Sequence, residues 1–208
     1  MIKEEKKIYL VGCGPGSREY LTLMACEVAN NAEVVVGPQK FIDLFDSISG
    51  LILPVNKDIN LILDHIARYS ADSNIAVLVS GDPGCFSLSK LIIERFGADN
   101  CRVIPGISSV QLGLARIGLA WSNARVLSVH GRKTAPAANT LFETSPCVIL
   151  LGDSLQWLQP VLQHRPSGWS IFLMQDLGLP TEKISTVRTD KDLTQQISAS
   201  SLLVFVHL

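Results

Sequence analysis

The sequence predicts an α/β protein of two α/β subdomains, and three observations predict it. Short β-rich runs alternate with helical stretches through residues 1–120. Three of those runs end in turns rich in glycine and proline. Strand-like runs return in residues 121–208 with one clear helix among them. Alternation of strand and helix implies a mostly parallel sheet covered by helices, because parallel neighbours need a crossover of helix length. The second run of strands fits another α/β unit with some antiparallel pairing. The boundary is placed near Leu119–Asn123, where glycine, tryptophan and polar residues interrupt the pattern.

Along the chain, Ile8–Val11 reads as a strand stopped by Gly12-Cys13-Gly14-Pro15-Gly16, and Thr22–Asn30 as the helix that follows. Glu33–Val36 is the next strand, closed by Gly37-Pro38. Asn60–Tyr69 is an amphipathic helix with Leu61, Ile62, His65 and Ile66 on one side. Ile75–Val79 is a buried strand stopped by Gly81-Asp82-Pro83-Gly84, and Ser87–Phe96 is helical. Cys101–Ile104 is a strand ended by Pro105-Gly106, and Ser108–Arg116 a helix with serine at its start. In the second half the expected strands are Arg125–Val129, Cys147–Leu151, Ser170–Met174, Lys183–Thr189 and Leu202–His207, with a helix over Leu155–His164.

Composition bounds the chemistry. The 208 residues are 47% hydrophobic and 18% charged, with a formal net charge of −1. No global positive field draws such a chain to nucleic acid or anionic lipid, so an anionic ligand must be met by a local basic cluster. The apolar runs are strand-length, far short of a membrane span. The charged segment Met1–Lys7 leads straight into a strand, unlike a signal peptide. A cytoplasmic protein without membrane or nucleic-acid partners is expected. The five cysteines are scattered without a CxxC pair, and the four histidines are equally dispersed. That argues against a disulfide framework and against a metal site.

Four turns carry the candidate chemistry. Gly12–Gly16 invites a dinucleotide-binding reading, but Ser17 stands where the third glycine of that motif belongs, and Pro15 has no N–H to offer a pyrophosphate. A tight strand-to-helix turn without ligand is the alternative. Gly81-Asp82-Pro83-Gly84 lies at the carboxyl end of a buried strand, where open α/β sheets bind ligands. Asp82 can accept hydrogen bonds from a ribose or an amino group, or it can merely tie its own backbone as an Asx turn. Ser108 and Ser109, after Pro105-Gly106, can cap a helix or present free N–H groups to a polar ligand. His130-Gly131-Arg132-Lys133 is basic and suits carboxylate binding, with a solvated surface turn as the alternative.

The ordered set of these turns resembles the tetrapyrrole methylase family of enzymes dependent on S-adenosylmethionine (SAM). The resemblance lies in Tyr9–Gly16, Leu21-Thr22-Leu23 with Ala25, Val34–Gly37, Gly81-Asp82-Pro83 and Ile104–Ser109. Within the family, Leu114–Leu119 with Trp121, Ser128–Arg132, Gln175–Gly178 with Pro180, and Glu182-Lys183-Ile184 are similar to the precorrin C5-methyltransferase branch. The sequence departs from the family after Pro83, where Gly84-Cys85-Phe86-Ser87 replaces the usual large apolar residue, aromatics and glycine.

The resemblance implies two α/β subdomains with a ligand cleft between them. It also implies C-methylation at C5 of a precorrin ring, the cobalt-precorrin-7 to cobalt-precorrin-8 type of step, in cobalamin biosynthesis. SAM is the implied cofactor, assigned to Gly81, Asp82, Pro83, Cys85, Ser108, Ser109, Gly152, Met174 and Gln175. The tetrapyrrole substrate is assigned to Gly12, Gly14, Pro15, Gly16, Lys40, Arg116 and Arg132, with Arg132 the first choice for its carboxylates. His130 is the candidate general base, or else a residue that orients Arg132. A homodimer is implied. Bifunctional relatives add a C-terminal domain that this chain does not carry, so a separate decarboxylating C15-methyltransferase is expected beside it. The rival readings are a diphthine-type or rRNA-type methylase of the same family and a cofactor-binding module without turnover.

Overall fold

In the computed structural model, which describes residues 6–56, 58–129, 136–151, 155–189, 191–192, 197–198 and 200–207, the first strand is Ile8–Gly12 (β1). Four of its five residues are buried, as a strand covered on both faces requires. Helix α1, Leu23–Asn31, starts where the Thr22 hydroxyl accepts the Ala25 N–H at 3.1 Å, satisfying one of the unpaired donors of the first turn. Strand β2 is Val34–Gly37, a short helix α2 covers Gln39–Ile42, and β3 is Leu51–Pro54. Helix α3, Ile59–Tyr69, is capped by Asp58, whose carboxylate accepts the Leu61 N–H at 3.0 Å. Strand β4 (Ile75–Val79), helix α4 (Ser89–Phe96) and strand β5 (Cys101–Ile104) complete the first sheet.

That sheet is parallel throughout, in the order β3-β2-β4-β1-β5. Side chains alternate across it. Ile8, Leu10, Val34, Val36 and Val77 meet Ile62, Leu63 and Ile66 of α3 and Ile92 of α4. Val11, Val35, Ala76 and Leu78 meet Ala25 and Ala29 of α1 and Phe41 and Ile42 of α2. Each fully buried aliphatic side chain contributes about 1.5–3 kcal/mol. The strand order has a direct consequence: β1 lies between β4 and β5, so three carboxyl ends stand side by side on one rim.

Contacts divide the chain into Met1–Ser108 and Ser109–Leu208, earlier than the boundary expected after residue 120. Helix α5, Ser109–Arg116, falls in the second unit because it packs closely there. A Cβ added at Gly113 would lie 2.9 Å from Met174 Sδ and 3.1 Å from Leu177 Cδ1. The second sheet contains β6 (Arg125–Ser128), β7 (Cys147–Leu150), β8 (Trp169–Gln175), β9 (Lys183–Thr186) and β10 (Ser201–His207), in the order β6-β7-β10-β8-β9. Only β6 and β7 run parallel; the other pairs are antiparallel. Helix α6, Gln159–Gln163, follows a 3-10 turn at Gln156–Leu158, so the single helix expected over Leu155–His164 is two short pieces.

Several details differ from the sequence expectation. Helix α3 buries Ile62, Leu63 and Ile66 and leaves Leu61 42% exposed, so its apolar stripe sits one position round from the expected side. Strand β3 and helix α2 are additional. Both are short, and β3 is an edge strand that stays mostly exposed although Leu51, Ile52 and Leu53 are apolar. The strand expected over Lys183–Thr189 stops at Thr186, and the helix expected from Ser87 starts at Ser89.

Candidate functional site

The three turns on the shared rim are knotted together by main chain. Gly14 and Gly81 exchange two hydrogen bonds: Gly14 N–H donates to Gly81 O at 3.2 Å, and Gly81 N–H to Gly14 O at 2.8 Å. The Cys13 N–H donates to Val79 O at 2.8 Å. Gly14 (φ +62°) and Gly81 (φ +64°) both occupy the left-handed region, which costs residues with a Cβ free energy. The third turn presses in from the other side. A Cβ at Gly106 would stand 2.3 Å from Gly81 O, and one at Gly12 would stand 2.6 Å from Gly106 N. Backbone meets backbone here, and no side chain fits between.

Asp82 braces the knot. Its Oδ1 accepts the Gly84 N–H at 2.8 Å and its Oδ2 the Gly106 N–H at 3.1 Å. The Asx turn is therefore present, and the second oxygen crosses to the β5 turn, so both oxygens already serve main-chain donors. Pro83 is buried and Cys85 half-buried, with the Cys85 N–H donating to Asp82 O at 3.0 Å. Ser108 is buried, and its Cα would sit 3.8 Å from a Cβ at Gly81. Phe86, the residue after Cys85, has φ +48° and is 55% exposed.

The Gly12–Gly16 loop folds back on its own continuation. A Cβ at Gly14 would lie 2.9 Å from Tyr20 O. Arg18 pairs with the Asp46 carboxylate and donates to Asp43 O at 3.2 Å, pinning the loop's far end. Between these anchors Ser17 Oγ is buried without a hydrogen-bond partner among the described residues. Lys40 is exposed on α2, its Nζ 4.8 Å from the Phe41 ring centroid.

In the second unit, Met174 and Gln175 end β8 with their side chains buried, and Gln175 Oε1 accepts the Ser198 N–H at 3.1 Å. Arg116, at the end of α5, is gripped by Glu182: Nε at 2.7 Å from Oε1 and a terminal nitrogen at 3.2 Å from Oε2. The same Oε2 accepts the Gly178 N–H at 2.7 Å. Hydrogen bonds from Arg116 and from Gly178 hold the Glu182 carboxyl below its ordinary value. The Arg116 guanidinium thus already has a carboxylate partner inside its own unit. Ser109, half-buried, begins α5. His130, Gly131, Arg132, Lys133 and Gly152 lie outside the described residues.

Cys13 does not supply a nucleophile to the knot. Burial pushes Cys13 up to about 12, so it stays protonated at neutral pH. Among the described residues no group of histidine, cysteine, aspartate and glutamate side chains is arranged to hold a metal ion, and no helix is long and apolar enough to cross a membrane.

The structure thus unites Gly12, Gly14, Gly81, Asp82, Gly106 and Ser108 on one rim. Lys40 stands on a separate helix of the same unit. Three residues gained no role from the sequence: Ser17, Phe86 and Glu182. Glu182 lay within a recognised segment, and Phe86 within a departure from one. Ser17 is marked in the sequence only as standing where the third glycine of a dinucleotide motif belongs, which gives it no role.

The family model for tetrapyrrole (corrin/porphyrin) methylases matches residues 7–191. A probable cobalt-precorrin-7 C(5)-methyltransferase of Methanocaldococcus jannaschii is 35% identical over 185 residues, covering 86% of this chain and 87% of the relative. The crystal structure of a cobalamin-biosynthesis precorrin-6Y methylase from Archaeoglobus fulgidus has a TM-score of 0.74 at 23% identity and covers 97% of each chain. A uroporphyrin-III C-methyltransferase from Thermus thermophilus, complexed with S-adenosyl homocysteine, has a TM-score of 0.73 at 22% identity, covering 96% of this chain and 97% of that one. At such identities the two structures establish likeness of fold.

Proposed function

The chain belongs to the tetrapyrrole (corrin/porphyrin) methylase family, and from that premise we propose that it is a SAM-dependent methyltransferase acting at C5 of a cobalt-precorrin-7-type ring in cobalamin biosynthesis. The observation that carries the reading is the three-turn knot. A parallel sheet with β1 between β4 and β5 brings the Gly12–Gly16, Gly81–Cys85 and Pro105–Ser108 turns to one rim. The choice of C5 follows the Methanocaldococcus jannaschii relative.

The rim residues fit a cofactor of this kind. Gly81 has open space where a Cβ would stand, with Ser108 Cα 3.8 Å from that point, and its neighbours are main chain and the small, buried Ser108. Such a lining recognises a polar, zwitterionic ligand by backbone contacts and allows close approach. When bound, SAM supplies a methyl carbon activated by its sulfonium for in-line displacement by a nucleophilic ring carbon. Gly81, Asp82, Pro83, Cys85 and Ser108 hold it from the first unit.

The protein's task in such a displacement is alignment, which can supply roughly 7–11 kcal/mol of the barrier. Asp82 performs it indirectly, by fixing the β4 turn against the β5 turn. The Gly12–Gly16 loop flanks the acceptor ring. Arg132 takes ring carboxylates, with Lys40 behind it. Arg116, held by Glu182, is the weakest of the three basic choices. His130 receives the proton that leaves the ring carbon after the methyl arrives, or orients Arg132. The reading extends to a cytoplasmic homodimer, as the resemblance implies.

The test is incubation with SAM labelled in its methyl group and a cobalt-precorrin-7 preparation. Transfer of label to the ring is expected, with product mass raised by one CH2 because a methyl group replaces a proton. SAM binding without transfer would make the chain a binding module. Transfer to RNA or protein in place of the ring would move it to another branch of the family. SAM at a hundred times its Kd should add about 2.7 kcal/mol of stability.

A further inference from the structure

We propose that Phe86 is the platform on which one face of the substrate's conjugated ring stacks, an inference that rests on the reading just given. Phe86 combines two features that folding alone disfavours. Its backbone sits at φ +48°, a conformation that glycine or asparagine adopts cheaply and a bulky aromatic residue does not. Its side chain is 55% exposed, so burial does not repay the strain.

The surroundings impose this arrangement from both sides. Upstream, the Cys85 N–H donates to Asp82 O, and the Asp82 carboxylate holds Gly84 and Gly106. Downstream, Ser87 Oγ accepts the Ser89 N–H at 3.3 Å and lies 3.1 Å from Ser89 Oγ, and Ser89 is buried at the start of α4. A left-handed residue between two fixed segments is over-determined, the condition under which strain persists at working sites. The aromatic residue stands directly after the Gly81–Cys85 turn, on the rim where the three turns meet.

An exposed aromatic face beside a rim of main-chain polar groups matches a ligand with a flat conjugated centre and a polar fringe. Aromatic rings stack on such a centre by offset contact. The cofactor's adenine is also a flat ring that stacks on an aromatic side chain, so the affinity for SAM has to be read beside that for the macrocycle. Phe86 is assigned to the larger conjugated face of the macrocycle, and the cofactor to the Gly81–Cys85 turn.

The experiment uses the full chain and uroporphyrin I as a stable carboxylated macrocycle, titrated by fluorescence, alongside KM for the corrinoid substrate. Phe86→Ala should weaken uroporphyrin binding about tenfold, the scale of one lost stacking contact, raise KM similarly, and leave SAM affinity by calorimetry unchanged. Phe86→Tyr should restore binding. Phe86→Gly should lose macrocycle binding while its thermal midpoint stays level or rises, since glycine relieves the strain. That split is the signature a merely structural ring would not give. Wild-type-like macrocycle affinity in Phe86→Ala and Phe86→Gly would overturn the inference and leave the methyltransferase reading intact. A wild-type protein that binds neither SAM nor macrocycle would overturn both.

Discussion

Asp82 and Gly106 are joined across two separate turns: the Asp82 Oδ2 accepts the Gly106 N–H at 3.1 Å while Oδ1 holds Gly84 at 2.8 Å. The residues are far apart in sequence and meet only because β4 and β5 flank β1 in one parallel sheet. An aspartate that looks like a ligand contact is thus first a brace, and its effect on a bound cofactor passes through the shape of the rim.

Replacement of Asp82 separates these roles. Asp82→Ala leaves two main-chain donors without their charged acceptor. It should lower stability by about 1.5–3 kcal/mol, the worth of such bonds when partly solvated, and weaken SAM binding severely. Asp82→Asn keeps one side-chain carbonyl and should recover part of both losses. Denaturant unfolding and calorimetry read the two quantities. An alanine variant with undiminished stability and SAM affinity would show that the brace does not shape the site.

Gly106→Ala tests the knot by sterics alone. The new methyl group would stand 2.3 Å from Gly81 O and 2.8 Å from Gly12 C, and neither backbone atom can retreat without breaking the Gly14–Gly81 pairing. A loss of about 3 kcal/mol or more is expected, at the upper end for overpacking. Gly118→Ala is the control. Its surroundings are open, and only its φ of +71° opposes a side chain, so about 1 kcal/mol should be lost. Equal losses at the two positions would argue against close packing at the rim.

Much of this was legible before the structure. Strands β1 and β4 announce themselves as apolar runs, and β5 as a short β-rich run that contains Arg102. Each is closed by glycine and proline, and parallel pairing follows from their spacing. That three turns share a rim follows from strand direction; that β1 stands between β4 and β5 does not, because strand order depends on which helices cover which face. Leu61 shows the same limit: its apolar character suits either side of the α3 stripe, and only packing turns it to solvent. Phe86 was hidden because a left-handed φ at a phenylalanine contradicts local propensity, and Glu182 because its partner Arg116 is 66 residues away in the chain.

The Arg116–Glu182 pair carries a pH prediction. Arg116 and the Gly178 N–H hold the Glu182 carboxyl below its ordinary value of 4.5. A carboxyl with a depressed folded-state pKa binds protons more readily unfolded, so its contribution is complete above the ordinary value and falls away as pH drops through the folded one. The pair is partly solvated, with side chains 36% and 23% exposed, so the contribution is at most about 1 kcal/mol. Glu182→Gln should lose that amount at neutral pH and converge on the wild type in acid. Urea unfolding across the acid range checks it; parallel curves for the two proteins would reject the assignment.

Cysteine labelling distinguishes core thiols from rim thiols in a single measurement. Cys13 and Cys147 are buried, and burial raises them to about 12 and about 11. Both lack thiolate at neutral pH and lack access, the two requirements for alkylation. Cys85 is half-buried in the Gly81–Cys85 turn. Iodoacetamide at neutral pH should therefore modify Cys85 well before Cys13 or Cys147, which should react only as the fold opens. If SAM occupies that turn, saturating SAM should slow modification of Cys85 and leave the half-buried Cys101, on β5 at the opposite end of the strand from the rim, unaffected. Equal protection of Cys85 and Cys101 would indicate general stabilisation, and no protection of Cys85 would move the cofactor away from the turn that Asp82 builds.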